Sequence, residues 1–417
     1  MQHPRILLIG TGDTKADELL FMSDCITQAG GEPIMMDISV LDDPPYKPRY
    51  DKHAVAHAAQ TTIEQIVASG NENSAMTLMA LGASRLARRL SDAGDFDGMI
   101  AIGGTMGTDL ALDVALALPL GLPKFVVSTV AFSHLVPPER IAADLMMILW
   151  AGGLYGLNST CKAVLSQACG AVVGAAKSAI RPKKTRPVVA MTSLGKSCLS
   201  YMVELKPELE QRGYEVVVFH TTGMGGRAME SMAAQGAFAA ILDLSLQEVA
   251  NHLTGSVVNS GADRLENAGK AGIPQIVAPG ATDMVDFPTW QPIPTELVDR
   301  PLHTHNRLIA SATSRPDDRR MIARAIAKKL SKAKAPVAFI LPAEGIQQWD
   351  RVGEALHDPE GLSAFVDEMR SAIKAPVELH EIREHINSPV FIETVLSIFD
   401  RWVEAGIVPA GMTPVAA

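Results

Sequence analysis

The chain is 417 residues long, more than a single hydrophobic core comfortably serves, so two domains are expected. Hydrophobic residues make up 47% of it and charged residues 20%, the balance of a water-soluble globular protein. A formal charge of -9 supplies no basic surface for displacing counterions from a phosphate backbone, which argues against a nucleic-acid partner.

The chain opens with a few polar residues and then a short apolar run at 6–9, too brief for a signal peptide. Further strand-like runs follow at 33–36, 99–102 and 125–127, with helical patterns at 54–68, 81–90 and 110–118 between them. The apolar stretch from Leu145 to Leu154 is broken by glycines and too short to span a membrane; it reads as a buried interface or a core helix. A basic, proline-containing run over residues 181–187 reads as a solvated linker. Beyond it the rhythm restarts with apolar runs at 188–190, 216–219, 239–242, 275–277 and 337–341. Strands alternating with helices imply parallel sheets covered by helices. The expected fold is therefore α/β: two Rossmann-like three-layer domains, residues 1–180 and 188–417, with mainly parallel sheets and an interdomain cleft. Cys25, Cys161, Cys169 and Cys198 show neither a CxxC pair nor zinc-ligand spacing, which predicts buried small hydrophobes in a reducing cytoplasm.

In such sheets, sites form where strand carboxyl ends meet helix amino ends. The first candidate loop is Gly10-Thr11-Gly12-Asp13-Thr14-Lys15, where glycines permit a tight turn and the following helix start offers N–H groups to an anion. Asp13 is unusual in a phosphate cradle, unless it helps to hold Mg2+ or caps the helix. The second, Gly103-Gly104-Thr105-Met106-Gly107-Thr108, is another anion nest after a strand of the same sheet.

The third loop, Ala190 to Ser197, matches the loose phosphate-loop pattern with Lys196 and Ser197, and Asp243 could serve as its metal-side carboxylate. Against a true ATP loop stand Ala190 in place of the first glycine and Pro207, which should break the following helix. The fourth, His220-Thr221-Thr222-Gly223-Met224-Gly225-Gly226-Arg227, is richer in glycine and hydroxyls and carries a cation. Polar clusters also follow at Gly261, at Gly280, at His305 and Asn306, at Glu344 and at His385. Together they predict a second site for a small polar or anionic ligand. A metal site at Asp283, His303 and His305 is a weaker alternative.

Several stretches in one order, namely residues 218–230, Gly10 to Lys15, Gly261-Ala262-Asp263-Arg264-Leu265-Glu266 and Ala271-Gly272-Ile273-Pro274-Gln275, resemble the tomato tobamovirus-resistance protein family over essentially the whole chain. The resemblance implies two Rossmann-like domains, a homodimer, and ATP with Mg2+ held in the first domain by Gly10 to Lys15 and by Gly103 to Thr108. The stretch Asn71-Glu72-Asn73-Ser74 and the lysine at 196 depart from the family pattern. Plant members carry an extra barrel domain behind this region, which is not expected here.

The resulting expectation is a cytoplasmic protein with no membrane partner, which binds ATP and Mg2+ in its first domain and a small ligand in its second. Phosphoryl or nucleotidyl transfer at the interdomain cleft would use His220, Arg227, Glu344 or His385. The alternatives are a nucleotide-responsive binding module without turnover, or a metal-assisted hydrolase or lyase.

Overall fold

The computed structural model describes residues 3–180 and 185–412; residues 181–184 of the expected linker lie outside the described residues. Two units are distinguished, Met1–Lys183 and Lys184–Ala417, and each is built around its own parallel sheet.

The first unit runs β1 (Arg5–Gly10), α1 (Ala16–Gln28), β2 (Glu32–Asp37), α2 (Lys52–Ala58), α3 (Ile63–Val67), α4 (Glu72–Asp92), β3 (Gly98–Gly103), α5 (Thr105–Ala117), β4 (Lys124–Ser128), β5 (Leu145–Leu149) and α6 (Ser159–Ser178). Its five strands are all parallel in the order β2-β1-β3-β4-β5. The near-continuous apolar runs follow from burial on both faces, since successive side chains point to opposite sides. Leu7 and Ile9 of β1 join Met99 and Ala101 of β3 under α2 to α5, whereas Ile6 and Leu8 join Ile100 and Ile102 under α1 and α6. Helix α4 buries Ala75, Met79, Leu86 and Leu90 on one stripe at helical spacing, and Asn71 starts it by accepting from Ser74 N at 2.8 Å.

The second unit runs β6 (Val188–Ser193), α7 (Met202–Gln211), β7 (Glu215–His220), α8 (Met224–Ala234), β8 (Ala240–Ser245), α9 (Gln247–Leu253), α10 (Asn267–Ala271), β9 (Gln275–Gly280), β10 (Met284–Pro288), β11 (Leu302–Thr304), β12 (Ile309–Thr313), α11 (Pro316–Leu330), β13 (Val337–Pro342), α12 (Pro359–Ala372), β14 (Glu378–Ile382) and α13 (Pro389–Glu404). Six strands are parallel in the order β7-β6-β8-β9-β13-β14, the same 2-1-3-4-5 pattern with one strand added. Val189, Met191, Leu242 and Ile340 face α7 and α13; Val277, Phe339 and Leu341 face α11 and α12. A small antiparallel sheet, β10-β12-β11, branches from the loop after β9.

The α/β architecture with mainly parallel sheets matches the expectation, and three local readings change. The stretch from Leu145 is neither a core helix nor a fully buried element: it is β5, an edge strand paired with β4 and partly exposed. The pattern at 54–68 is two short helices, because Gln60 turns the chain at φ 63° and Thr62 starts a new helix with a capping box to Gln65. Pro207 lies inside α7 without ending it. Among the described residues, no helix is long and apolar enough to cross a membrane.

Candidate functional site

In a 2-1-3-4-5 sheet the chain reverses direction between the first and third strands, and the loops leaving their carboxyl ends part to form a crevice. In the first unit a cavity of about 510 Å3 sits there, within the range of small-molecule sites. Thr11, Asp13, Thr14 and Lys15 from the loop after β1 line it, facing Gly103, Gly104, Thr105 and Gly107 from the loop after β3. Gly104 is the N-cap of α5 and offers no side-chain acceptor, so the first-turn N–H groups of a 13-residue helix are left for a ligand. Lys15 adds a cation, its Nζ donating, among the described residues, only to the neighbouring Thr14 carbonyl at 3.2 Å. The rest of the lining is largely apolar, with Ile38, Val40, Val67 and Met76, and includes Asn71 and Glu72. The cavity thus combines an anion-seeking helix start with apolar side chains.

Other predicted residues of these loops shape the cavity from behind. A Cβ on Gly10 would meet Leu19 Cδ2 at 2.8 Å, so glycine lets α1 lie close on the sheet. Thr108 is buried, its Oγ1 2.7 Å from Ser128 Oγ, tying α5 to β4. Gly12 donates from its backbone to Asp37 Oδ1 at 2.9 Å. Asp37, at the carboxyl end of β2, is 1% exposed and carries no local sequence signal. Its Oδ1 also accepts from Ser39 N at 3.1 Å and Ser39 Oγ at 2.5 Å, and Ser39 Oγ accepts from Asp13 N at 3.0 Å.

The second unit repeats the arrangement. A cavity of about 470 Å3 lies at the carboxyl ends of β6, β7 and β8, with the small antiparallel sheet contributing to its wall. Ser197, His220, Thr222, His305 and Asn306 line it, as do Gln247, Asp286, His303, Trp349 and the buried thiol of Cys198. His303 stacks on Trp349 with ring centroids 4.1 Å apart, and His305 meets the same indole edge-on at 4.8 Å. Ser311 Oγ donates to Asp286 Oδ1 at 2.5 Å and is 2.8 Å from His305 Nε2. Because the single hydroxyl proton goes to the carboxylate, His305 Nε2 donates and its Nδ1 carries the lone pair. Burial, reinforced by His303, pushes His305 down to about 4, and burial pushes Asp286 up to about 6. Burial, then Asp283, holds Cys198 well above the usual thiol range, so it is a protonated lining group.

The remaining predicted residues lie off this lining. Lys196 is exposed beside Ser197. Thr221 is buried with its Oγ1 2.6 Å from Ser245 Oγ. A Cβ on Gly225 would fall 1.9 Å from His220 O, and on Gly280 2.3 Å from Leu244 O; both are close-packing positions. Gly261 turns the chain at φ 92°. Arg227 is paired with Asp263 at 2.7 Å, and Glu344 is exposed. His385 is buried with Nε2 3.1 Å from Asp350 Oδ1 and 3.0 Å from Gln347 O. Among the described residues, no three His, Cys, Asp or Glu side chains are grouped to hold a metal, Asp283 with the two histidines included.

Behind the second cavity sits a buried ionic network. Arg264 bonds Asp243, Glu248 and Glu230, and Glu248 Oε1 in turn accepts from Gly223 N at 2.6 Å and Gly226 N at 3.1 Å. Asp243, read as a possible metal-side carboxylate, is occupied by Arg264 and by Thr192 Oγ1 at 2.9 Å. The network fixes the turn after β7 that carries Thr222.

A profile described as the N-terminal domain of Uncharacterised protein family (UPF0261) matches residues 4–181, and one described as the C-terminal domain of the same family matches residues 186–403. The chain belongs to the UPF0261 family. A UPF0261 protein of Brucella melitensis is 62% identical over 98% of this chain and 98% of its own length. Another, from Clostridium tetani, is 34% identical over 93% of this chain and 96% of its own. The tomato ToMV resistance protein Tm-1 is similar at 28% identity over 95% of this chain, which spans 55% of the tomato protein. The resemblance noted from the quoted motifs thus extends to the UPF0261 family on both sides of residue 185.

Proposed function

We propose that the first unit of this UPF0261 protein binds a nucleotide, ATP with Mg2+, in the cavity between the loops after β1 and β3. The observation that carries the reading is the lining of that cavity. It includes a glycine-lined, uncapped helix start and Lys15, suited to phosphates. It also includes Ile38, Val40, Val67 and Met76, suited to a flat base. In the second unit, the histidine, serine, threonine and amide groups around Asp286 suit a small polar ligand. ATP with a second substrate supports phosphoryl or nucleotidyl transfer to that ligand. Titration of ATP and MgCl2 into the protein tests nucleotide binding, and release of ADP or pyrophosphate across a panel of small polar acceptors tests turnover. Saturable ATP binding that Lys15→Ala weakens at least tenfold supports the reading; ATP affinity unchanged in Lys15→Ala contradicts it.

A second reading, binding without turnover, draws on the ties that hold two of the candidate acid–base residues: Arg227 is held by Asp263 and His385 by Asp350. It predicts ATP-dependent thermal stabilisation with no ADP released under any acceptor.

A further inference from the structure

Among the described residues, one carboxylate oxygen of Asp13, which lines the first cavity, and one of Asp37 have no partner. Asp37 uses Oδ1 for three donors, Gly12 N, Ser39 N and Ser39 Oγ, whereas its Oδ2 is buried and accepts nothing. Asp13 Oδ1 is likewise buried and unpaired, on a residue that lines the cavity. The two residues are neighbours: Ser39 Oγ bridges them, accepting from Asp13 N and donating to Asp37. Tyr46 Oη lies against the same turn, 2.7 Å from where a Cβ on Gly12 would be, and burial together with the charges of Asp37 and Asp13 raises its phenol. A buried carboxylate oxygen without a donor is destabilising. A hard divalent cation would supply both oxygens with a partner.

We propose that Asp13 Oδ1 and Asp37 Oδ2 form a divalent-cation half-site at the edge of the first cavity. Mg2+ keeps several waters and is held by one or two carboxylates plus substrate phosphates, unlike Ca2+ or Zn2+, which favour fuller protein shells. Two carboxylates next to an anion-seeking helix start meet that requirement, and a third protein ligand is unnecessary. The cation is then shared between the protein and the ligand's phosphates, and Gly12 is required because any side chain there would strike Tyr46 and Pro44. This assignment rests on the nucleotide reading of the same cavity for its phosphate ligands, but not for its two carboxylates.

The test uses the full chain. Asp37→Asn keeps an acceptor for Gly12 and Ser39 and replaces only the free oxygen, and Asp13→Asn does the same on the partner residue; melting temperatures verify that both variants are folded. Tb3+ is titrated alone, reading emission sensitised through Tyr46, and ATP affinity is measured in EDTA and in Mn2+. The expected result is Tb3+ emission in the wild type that falls at least fivefold in each variant. Mn2+ should tighten ATP binding at least tenfold in the wild type and less than threefold in the variants. Wild-type Tb3+ emission or metal-linked ATP affinity that survives in both folded variants overturns the site. If ATP fails to bind under any condition, the nucleotide reading falls, and the cation site stands or falls on Tb3+ alone. Should Asp37→Asn fail to fold, Asp13→Asn decides.

Discussion

Arg264 grips Asp243 with both terminal nitrogens, Nη1 to Oδ2 at 2.5 Å and Nη2 to Oδ1 at 2.7 Å, and both side chains are 1% exposed. Its Nε reaches Glu248 Oε2 at 2.9 Å, so one guanidinium serves three directions of a planar fork. Burial pushes Glu230 up to about 7, against the pull of Arg264, so part of the network carries a proton near neutral pH. Replacing Arg264 with Met would leave carboxylates buried without their cation, and should cost about 3–5 kcal/mol in urea unfolding. Lysine cannot reproduce the fork and should recover less than half of that loss. A change below about 1 kcal/mol for Arg264→Met would show that the network does not brace the turn after β7.

Asp286, Ser311 and His305 form a directional chain, and Asp286→Asn should reverse it. An amide nitrogen would donate to Ser311 Oγ, whose proton would then turn to His305 Nε2 and place the imidazole proton on Nδ1. Nitrogen NMR shifts of His305 read the tautomer directly; unchanged shifts would contradict the chain as drawn.

The same substitution has a signed pH effect. In the fold Asp286 titrates at about 6, above its ordinary 3.8, so the native state holds the extra proton. That contribution is fully present below about pH 4 and is lost as pH rises through about 6. His305 acts oppositely: depressed from 6.5 to about 4, it contributes stability above 6.5 that is lost as pH falls toward 4. Removing Asp286 leaves the histidine term, so the melting temperature of Asp286→Asn should climb more between pH 4.5 and 7 than that of the wild type. Parallel curves would refute the assignment.

Two glycines should behave in opposite ways. A Cβ on Gly226 would sit 1.7 Å from Glu248 Oε2, a carboxylate pinned by Arg264, Gly223 and Gly226 and unable to swing away. Gly226→Ala should therefore destabilise by about 2 kcal/mol or more. Around Gly104 the nearest atom is Thr129 Oγ1 at 3.8 Å, so Gly104→Ala meets no clash and should cost only the poorer N-cap, about 1 kcal/mol or less. Any loss it shows in ligand binding then reports on the ligand's approach and not on the fold.

Much of the architecture is legible in the sequence because parallel strands buried on both faces are written as unbroken apolar runs, as in Ile6 to Ile9 and Val337 to Leu341. β14 escapes that rule: Glu378 and His380 put polar side chains on one face of an edge strand, and Glu381 puts one on the other. Edge strand β5 escapes for another reason, since an apolar run followed by glycines fits a helix as well as a strand. The glycine loops announce the first cavity by local spacing. Asp37, Asp286 and Trp349 carry no local signal, because their roles come from strand order and from loops far apart in the chain. The richest sequence motif, residues 220–227, proves a mixture of cavity wall at His220 and Thr222 and close packing at Gly225 and Gly226.

The most direct test of the account is isothermal titration of ATP with MgCl2 into the wild type, Gly104→Ala and Lys196→Ala. The nucleotide reading predicts at least tenfold weaker binding in Gly104→Ala, whose new methyl group stands at the uncapped start of α5, and unchanged binding in Lys196→Ala. Binding that survives Gly104→Ala but is lost in Lys196→Ala would place the nucleotide in the second unit and contradict it.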